Sequence, residues 1–129
     1  AGAAQSLSEE ALETLKDLAE GPIRESLQKY APIMGVTYGR VTVRCQKSRW
    51  GSCSGKGNLN FNCLLALAPR EVLDYVVVHE LAHRKQMNHS TAFWREVEAV
   101  LPDYRQRLAW LKNHGGALMA RVSGEKCTE

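Results

Sequence analysis

The chain has 129 residues, is 44% hydrophobic, and carries 17 basic and 14 acidic side chains for a formal net charge of +3. That length suits one compact domain with its own core. The near-balanced charges are mixed along the chain, so no basic arm argues for nucleic acid, and no apolar run approaches the roughly 20 residues that span a bilayer. The opening AGAAQSLSEE lacks the basic start and apolar stretch of a signal peptide. It begins with Ala, as a trimmed piece of a longer protein would. Cys45, Cys53, Cys63 and Cys127 fit neither CxxC zinc modules nor a dense disulfide framework, so reduced thiols in a cytoplasmic protein are expected.

In chain order, Ser6 with Glu9 forms a capping-box pattern, and Leu12, Leu15, Ala19, Ile23, Leu27 and Tyr30 recur at helical spacing. Gly21-Pro22 is expected to interrupt or kink this helix, which should end before Pro32 and Gly35. Val41-Thr42-Val43-Arg44 alternates as a strand does. Trp50 to Cys53 and Asn58 to Asn62 flank Ser54-Gly55-Lys56-Gly57, which predicts a hairpin and hence a small antiparallel sheet of about three strands. In the last strand Leu59 and Phe61 should pack, leaving Asn58, Asn60 and Asn62 on a face free to meet a ligand.

Pro69 should start a helix reaching about Met87, apolar nearly all round and therefore central, with Asn88 stopping it in a left-handed conformation. Phe93, Trp94, Val97, Val100 and Leu101 predict another helix ended by Pro102. Tyr104, Leu108, Trp110 and Leu111 suggest a last short helix before His114-Gly115-Gly116, with a disordered tail over 123–129.

The chemistry concentrates at His79-Glu80-Leu81-Ala82-His83, an HExxH pattern inside the central helix. At about 100° per residue the two histidines share a face one turn apart, so both imidazoles reach one ion while Glu80 projects beside it. Zinc would acidify a water and polarise a carbonyl, with Glu80 taking and returning the proton. Two imidazoles and a carboxylate in an apolar helix are costly unless something satisfies them, and a metal does so.

A catalytic zinc needs a third protein ligand. His89, five residues beyond His83, leads. Glu96 and Glu98 compete from the next helix. His114 reads as a surface residue. Arg49-Trp50-Gly51 suits a substrate-facing turn, though Trp50 suits a core anchor equally well, and Cys53 suits a buried thiol better than a thiol nucleophile or a fourth metal ligand, for which no partner spacing exists. Tyr38, Tyr75, Tyr104, His114 and Arg49 are open candidates for stabilising a transition state.

KSRWGSCS at Lys47 to Ser54, the Asn-containing strand to Asn62, Pro69, Tyr75 to His83 with HELAH, Asn88-His89-Ser90 and Phe93-Trp94 together resemble the YgjP-like metallopeptidase family, related to SprT-like and WLM peptidases. The resemblance runs from about Val41 to Tyr104. It implies a minimal zincin fold in which His79, His83 and His89 hold zinc and Glu80 is the catalytic acid/base. It also implies more N-terminal sequence than this chain has, so the chain would be a catalytic half or a short variant.

The expectation is therefore an α+β, minimal zincin-like domain over 1–122, with an N-terminal helix, a small antiparallel sheet, a central HExxH helix and C-terminal helices. It would act on protein or peptide substrates in the cytoplasm. The alternatives are a nucleic-acid-associated zinc module and a zinc hydrolase of a non-peptide amide.

Overall fold

A computed structural model describes residues 7–46 and 48–126, with side chains through residue 120. Helix α1 spans Glu9–Met34, followed by strands β1 (Val41–Arg44), β2 (Gly51–Cys53) and β3 (Leu59–Asn62) and a 3-10 turn, Cys63–Leu67. Helices α2 (Arg70–Ala82), α3 (Thr91–Val100) and α4 (Tyr104–Lys126) complete the α+β architecture.

The N-cap of α1 is Ser8, whose Oγ accepts from the Ala11 N–H at 3.0 Å; the expected capping box begins at Ser6, outside the described residues. The helix is not broken at Gly21-Pro22. It carries both Pro22 and Pro32 and ends at Gly35, which takes the left-handed φ of 71°. Each proline removes one bond to the residue four back, here Leu18 and Gln28, both exposed on the helix surface where water can serve the freed carbonyl. On the other face Ala19, Ile23, Leu27, Tyr30 and Met34 are buried against α2 and outweigh the two lost bonds.

The hairpin forms as expected, with Gly51 opposite Phe61, Ser52 opposite Asn60 and Cys53 opposite Leu59. The sheet is not wholly antiparallel, however. Its order is β1-β3-β2, and β1 runs parallel to β3. The chain after β1 crosses over before entering β2, so β3 becomes the central strand and β2 an edge.

This reverses the expected use of the asparagines. Asn58 Oδ1 accepts from the Arg40 N–H at 2.9 Å, and Asn60 Nδ2 donates to Ser52 Oγ at 3.3 Å. The fully buried Asn62 donates to the carbonyls of Gln46 and Arg49 at 2.9 and 3.0 Å, while its Oδ1 accepts from the Leu64 N–H at 3.0 Å. These side chains hold the crossover and the 3-10 turn rather than facing a ligand. Replacing Asn62 with Ala leaves three backbone groups without their partner and is expected to cost about 2–4 kcal/mol. Urea unfolding measures this; a loss below about 1 kcal/mol would show that the crossover holds itself.

Helix α2 is buried nearly all round, with Val72, Leu73, Val76, Val77, Val78, Leu81 and Ala82 between α1, the sheet, α3 and α4. It stops at Ala82, earlier than expected. His83 to Lys85 then bond three residues back, to Glu80, Leu81 and Ala82, tightening the chain out of the helix. Asn88 is not left-handed, since among the described residues only glycines have positive φ. Ser90 caps α3, accepting from the Phe93 N–H at 3.4 Å.

The last helix is long rather than short, passing through Gly115-Gly116 to Lys126. Gly115 is buried against Trp50, and a Cβ there would lie 3.0 Å from Trp50 Cζ2. The glycine thus serves close helix packing, not a turn. Residues 123–126, expected in a disordered tail, belong to this helix, and 127–129 lie outside the described residues. No helix is long and apolar enough to cross a membrane among the residues described.

Candidate metal centre

His79 and Glu80 sit in the last turn of α2, and His83 is its C-cap residue. His89 follows in the turn that leads to α3. The early end of α2 matters here, because the tight turns at His83 to Lys85 reverse the chain soon enough to bring His89 back over His79. One nitrogen from each of His79, His83 and His89 lies within 4.8 Å of the others. The Nε2 atoms of His79 and His89 are 3.2 Å apart.

The second ring nitrogens are also engaged. His79 Nδ1 meets the Tyr75 hydroxyl at 3.2 Å and His83 Nδ1 meets the Gln86 carbonyl at 3.1 Å. In the tautomer that donates from Nδ1 to these oxygens, both histidines keep a lone pair on Nε2. Phe93, at the start of α3, backs all three rings, with centroids 4.9, 4.5 and 5.0 Å from His79, His83 and His89. Trp94 adds a stacked contact to His89, with centroids 6.1 Å apart.

Burial, followed by the charges of His83 and His89, takes the His79 imidazole down to about 3. Burial likewise lowers His83, against the opposing pull of the Gln86 carbonyl. Both are therefore neutral at pH 7, the form that ligates. Glu80, only 5% exposed, is pushed up to about 8 by burial, with Arg49 acting in the opposite sense. Its carboxylate is uncomfortable unless a cation stands near it.

The donor set fits a metal. Nitrogens bonded at about 2.0–2.1 Å in a tetrahedral site lie roughly 3.3 Å apart, close to the His79–His89 spacing. Among the described residues these histidines form the one group of three or more His, Cys, Asp or Glu whose ligand atoms all lie within 4.8 Å of one another. Glu96 is not part of it, being paired with Lys85 at 3.2 Å, and Glu98 is an exposed residue of α3.

An open cleft of about 280 Å³ lies in front of the histidines, lined also by Arg49, Gly51, Ser52, Cys53, Glu80 and Met87. Cys53 is half-buried, and burial, then the charge of Glu80, raises its thiol pKa, so it is neither an activated nucleophile nor a member of the histidine cluster. Of the residues considered for transition-state stabilisation, Arg49 lines this cleft and Tyr75 touches His79. Tyr104 instead stacks on Trp94 at 5.3 Å, and His114 packs on Trp110 at 4.6 Å. A hollow of about 340 Å³ beside α4, lined by Trp94, Tyr104, Arg105, Leu108, Ala109 and Lys112, has neither a histidine nor a carboxylate with which to hydrolyse anything.

Two residues contribute in ways the sequence does not show. Phe93 reads as a core residue from its helical spacing and is both core and platform. Gly51 reads as a hairpin residue, yet a Cβ there would meet Glu80 Cγ and Oε2 at 3.1 Å. Its signal is the glycine itself at the start of a strand, where glycine is disfavoured unless something approaches closely.

No curated protein matches the chain. Among solved structures, it is similar to the metallopeptidase zymogen abylysin of Pyrococcus abyssi, with 28% identity and a TM-score of 0.63 over 70% of this chain and 93% of that one. It shares the fold of the metallopeptidase zymogen jannalysin of Methanocaldococcus jannaschii, with 18% identity and a TM-score of 0.57 over 68% of this chain and 94% of that one. The YgjP-like, metallopeptidase domain family matches residues 2–114, including α1, which the resemblance in sequence motifs did not reach. The chain is accordingly an enzyme of the metallopeptidase class and belongs to the YgjP-like metallopeptidase domain family.

Proposed function

We propose that the chain is a zinc-dependent peptidase in which His79, His83 and His89 hold the metal and Glu80 moves the proton. The observation that carries this reading is the convergence of the three imidazoles within 4.8 Å, beside a buried glutamate and in front of an open cleft. Bound zinc supplies Lewis acidity, making water more acidic and the scissile carbonyl more electrophilic. Beside a cation Glu80 ionises, and its carboxylate is the form that accepts the proton of the attacking water and later delivers it to the departing amine. Gly51 gives the Glu80 side chain its room.

An extended substrate has an open strand to pair with, but it is β2 rather than the Asn58 to Asn62 strand. One side of β2 bonds β3, and Gly51, Ser52 and Cys53 line the cleft. Peptide addition there runs backbone to backbone, which suits a protein or peptide substrate better than a small amide. Arg49 is the cationic side chain on the cleft and is suited to developing negative charge on the substrate oxygen.

The test is proteolysis of an unstructured protein substrate by the zinc-supplied enzyme, with new amino termini counted. Cleavage that a chelator stops and zinc restores is expected; cleavage indifferent to metal, or none with zinc demonstrably bound, would refute the reading. Tyr75→Phe removes only the hydroxyl facing His79 and should weaken zinc binding about 10-fold, as loss of a hydrogen bond to a ligating histidine does. Competition with a chromophoric chelator measures it, and an unchanged affinity would mean that Tyr75 only packs.

A further inference from the structure

Two thiols that the proposed chemistry does not use meet at the end of the parallel pair of strands. The β1–β3 register runs from Val41 opposite Leu59 to Arg44 opposite Asn62. Cys45 and Cys63 follow the last of these pairs, and the Cys63 thiol donates to Cys45 Sγ at 3.0 Å. Neighbouring strands lie roughly 4.8 Å apart, inside the roughly 4.4–6.8 Å between α-carbons that a disulfide spans. To reach a bond of about 2.05 Å, each sulfur need move only about 0.5 Å.

The two thiols differ in access. Cys63 is fully buried in a small cluster with Leu15 and Leu64. Cys45 is half-buried, with its sulfur 3.9 Å from the Leu12 carbonyl of α1. Burial, then the hydrogen bond and charge of Cys45, push the Cys63 thiol up, while Lys16 pulls it down. A reagent from solution therefore meets Cys45 first, and Cys63 is placed to act second, on a sulfur already beside it. Cys53 instead donates to the Ser54 carbonyl at 3.4 Å. The span 45–63 contains Arg49, the whole of β2 and the hairpin turn. Asn62, next to Cys63, grips the carbonyls of Gln46 and Arg49, so the thiols flank the noncovalent clasp of the crossover.

We propose that Cys45 and Cys63 are a redox-reactive pair that a low-molecular-weight disulfide oxidises to an intramolecular bond, locking the crossover between β1 and β3. The Cys45 thiolate attacks one sulfur of the small disulfide, expelling one thiolate and leaving a mixed disulfide. The Cys63 thiolate then attacks the Cys45 sulfur and expels the second. Two protein thiols are oxidised, and the small disulfide is reduced to two thiols that carry away the two protons. Neither step involves the histidines or Glu80. Closing the 45–63 loop restricts the unfolded chain and should lower the unfolding equilibrium constant on the order of 100-fold.

The test uses the full chain, reduced and then incubated with oxidised glutathione, its remaining thiols alkylated before tryptic peptide mapping. Expected is a bond within one chain that joins fragments 45–47 and 57–70, two hydrogens lighter than the separate thiols, with Cys53 and Cys127 outside it. Cys45→Ser should form no bridge, and Cys63→Ala should hold glutathione on Cys45 as a stable mixed disulfide. Urea unfolding of the oxidised and reduced protein should differ by the 100-fold above, and not at all in Cys45→Ser treated alike. Free thiols at both positions after oxidation, a glutathione adduct on Cys45 that Cys63 leaves unresolved, or a bridge that includes Cys53 overturns the pair. A bond between Cys45 and Cys63 without a gain in stability overturns the lock.

Discussion

Glu80→Gln is expected to keep the metal and lower peptide-bond hydrolysis by about 10²- to 10⁴-fold, the contribution of a positioned acid/base group. The substitution is nearly isosteric, so the crowded contact with Gly51, where even a methyl group would stand 3.1 Å from the carboxylate, is preserved. The amide cannot take a proton from water, the role proposed for Glu80. Because the native carboxyl is only 5% exposed and burial pushes it up to about 8, exchanging it for a neutral group should not destabilise the fold. Equilibrium unfolding and metal content should thus stay at wild-type values while turnover collapses. Activity within tenfold of wild type would remove Glu80 from the chemistry and leave it a buried structural residue.

His89→Ala is expected to weaken zinc binding by more than the roughly 10- to 100-fold that outer-shell partners command, whereas Glu96→Ala should leave it unchanged. His89 is exposed and lies outside any helix, so its loss costs little folding free energy and the effect is confined to the metal. Its Nε2 stands 3.2 Å from that of His79, and among the described residues no other His, Cys, Asp or Glu joins the cluster to take the vacated position. Glu96 is held by Lys85 on the far side of the turn, an exposed pair worth at most about 1 kcal/mol. The comparison decides between the loop histidine and the next helix as the source of the third ligand. Metal lost in Glu96→Ala and retained in His89→Ala would reverse the assignment.

Much of this centre is legible in the sequence because it is local. His79 and His83 fall one turn apart on a helix whose apolar surround marks it as central, and His89 needs only a short reversal to join them. The hairpin is legible for the same reason, since its two strands are separated by a glycine-bearing turn. What escapes the sequence is set by packing at a distance. The crossover that makes β1 parallel to β3 depends on Asn62 gripping Gln46 and Arg49, a contact no period reveals. That crossover moves the open edge from the asparagine strand to β2. Pro22 and Gly115-Gly116 carry strong local signals for breaks, yet the buried face of α1 and the fit of Gly115 against Trp50 override them. A hollow of about 200 Å³ lined by Trp50, Gly51, Tyr75, Leu108 and Leu111 is likewise assembled from segments with no common pattern.

The central claim, a zinc held by three histidines with one position left open for water, is tested most directly by X-ray absorption at the zinc edge on stoichiometrically loaded protein. The account predicts about one zinc per chain, three imidazole nitrogens at about 2.0–2.1 Å and one further light donor. A sulfur shell at about 2.3 Å would instead bring in Cys53, and four protein ligands without an exchangeable one would make the site structural; either result would contradict a three-histidine catalytic centre.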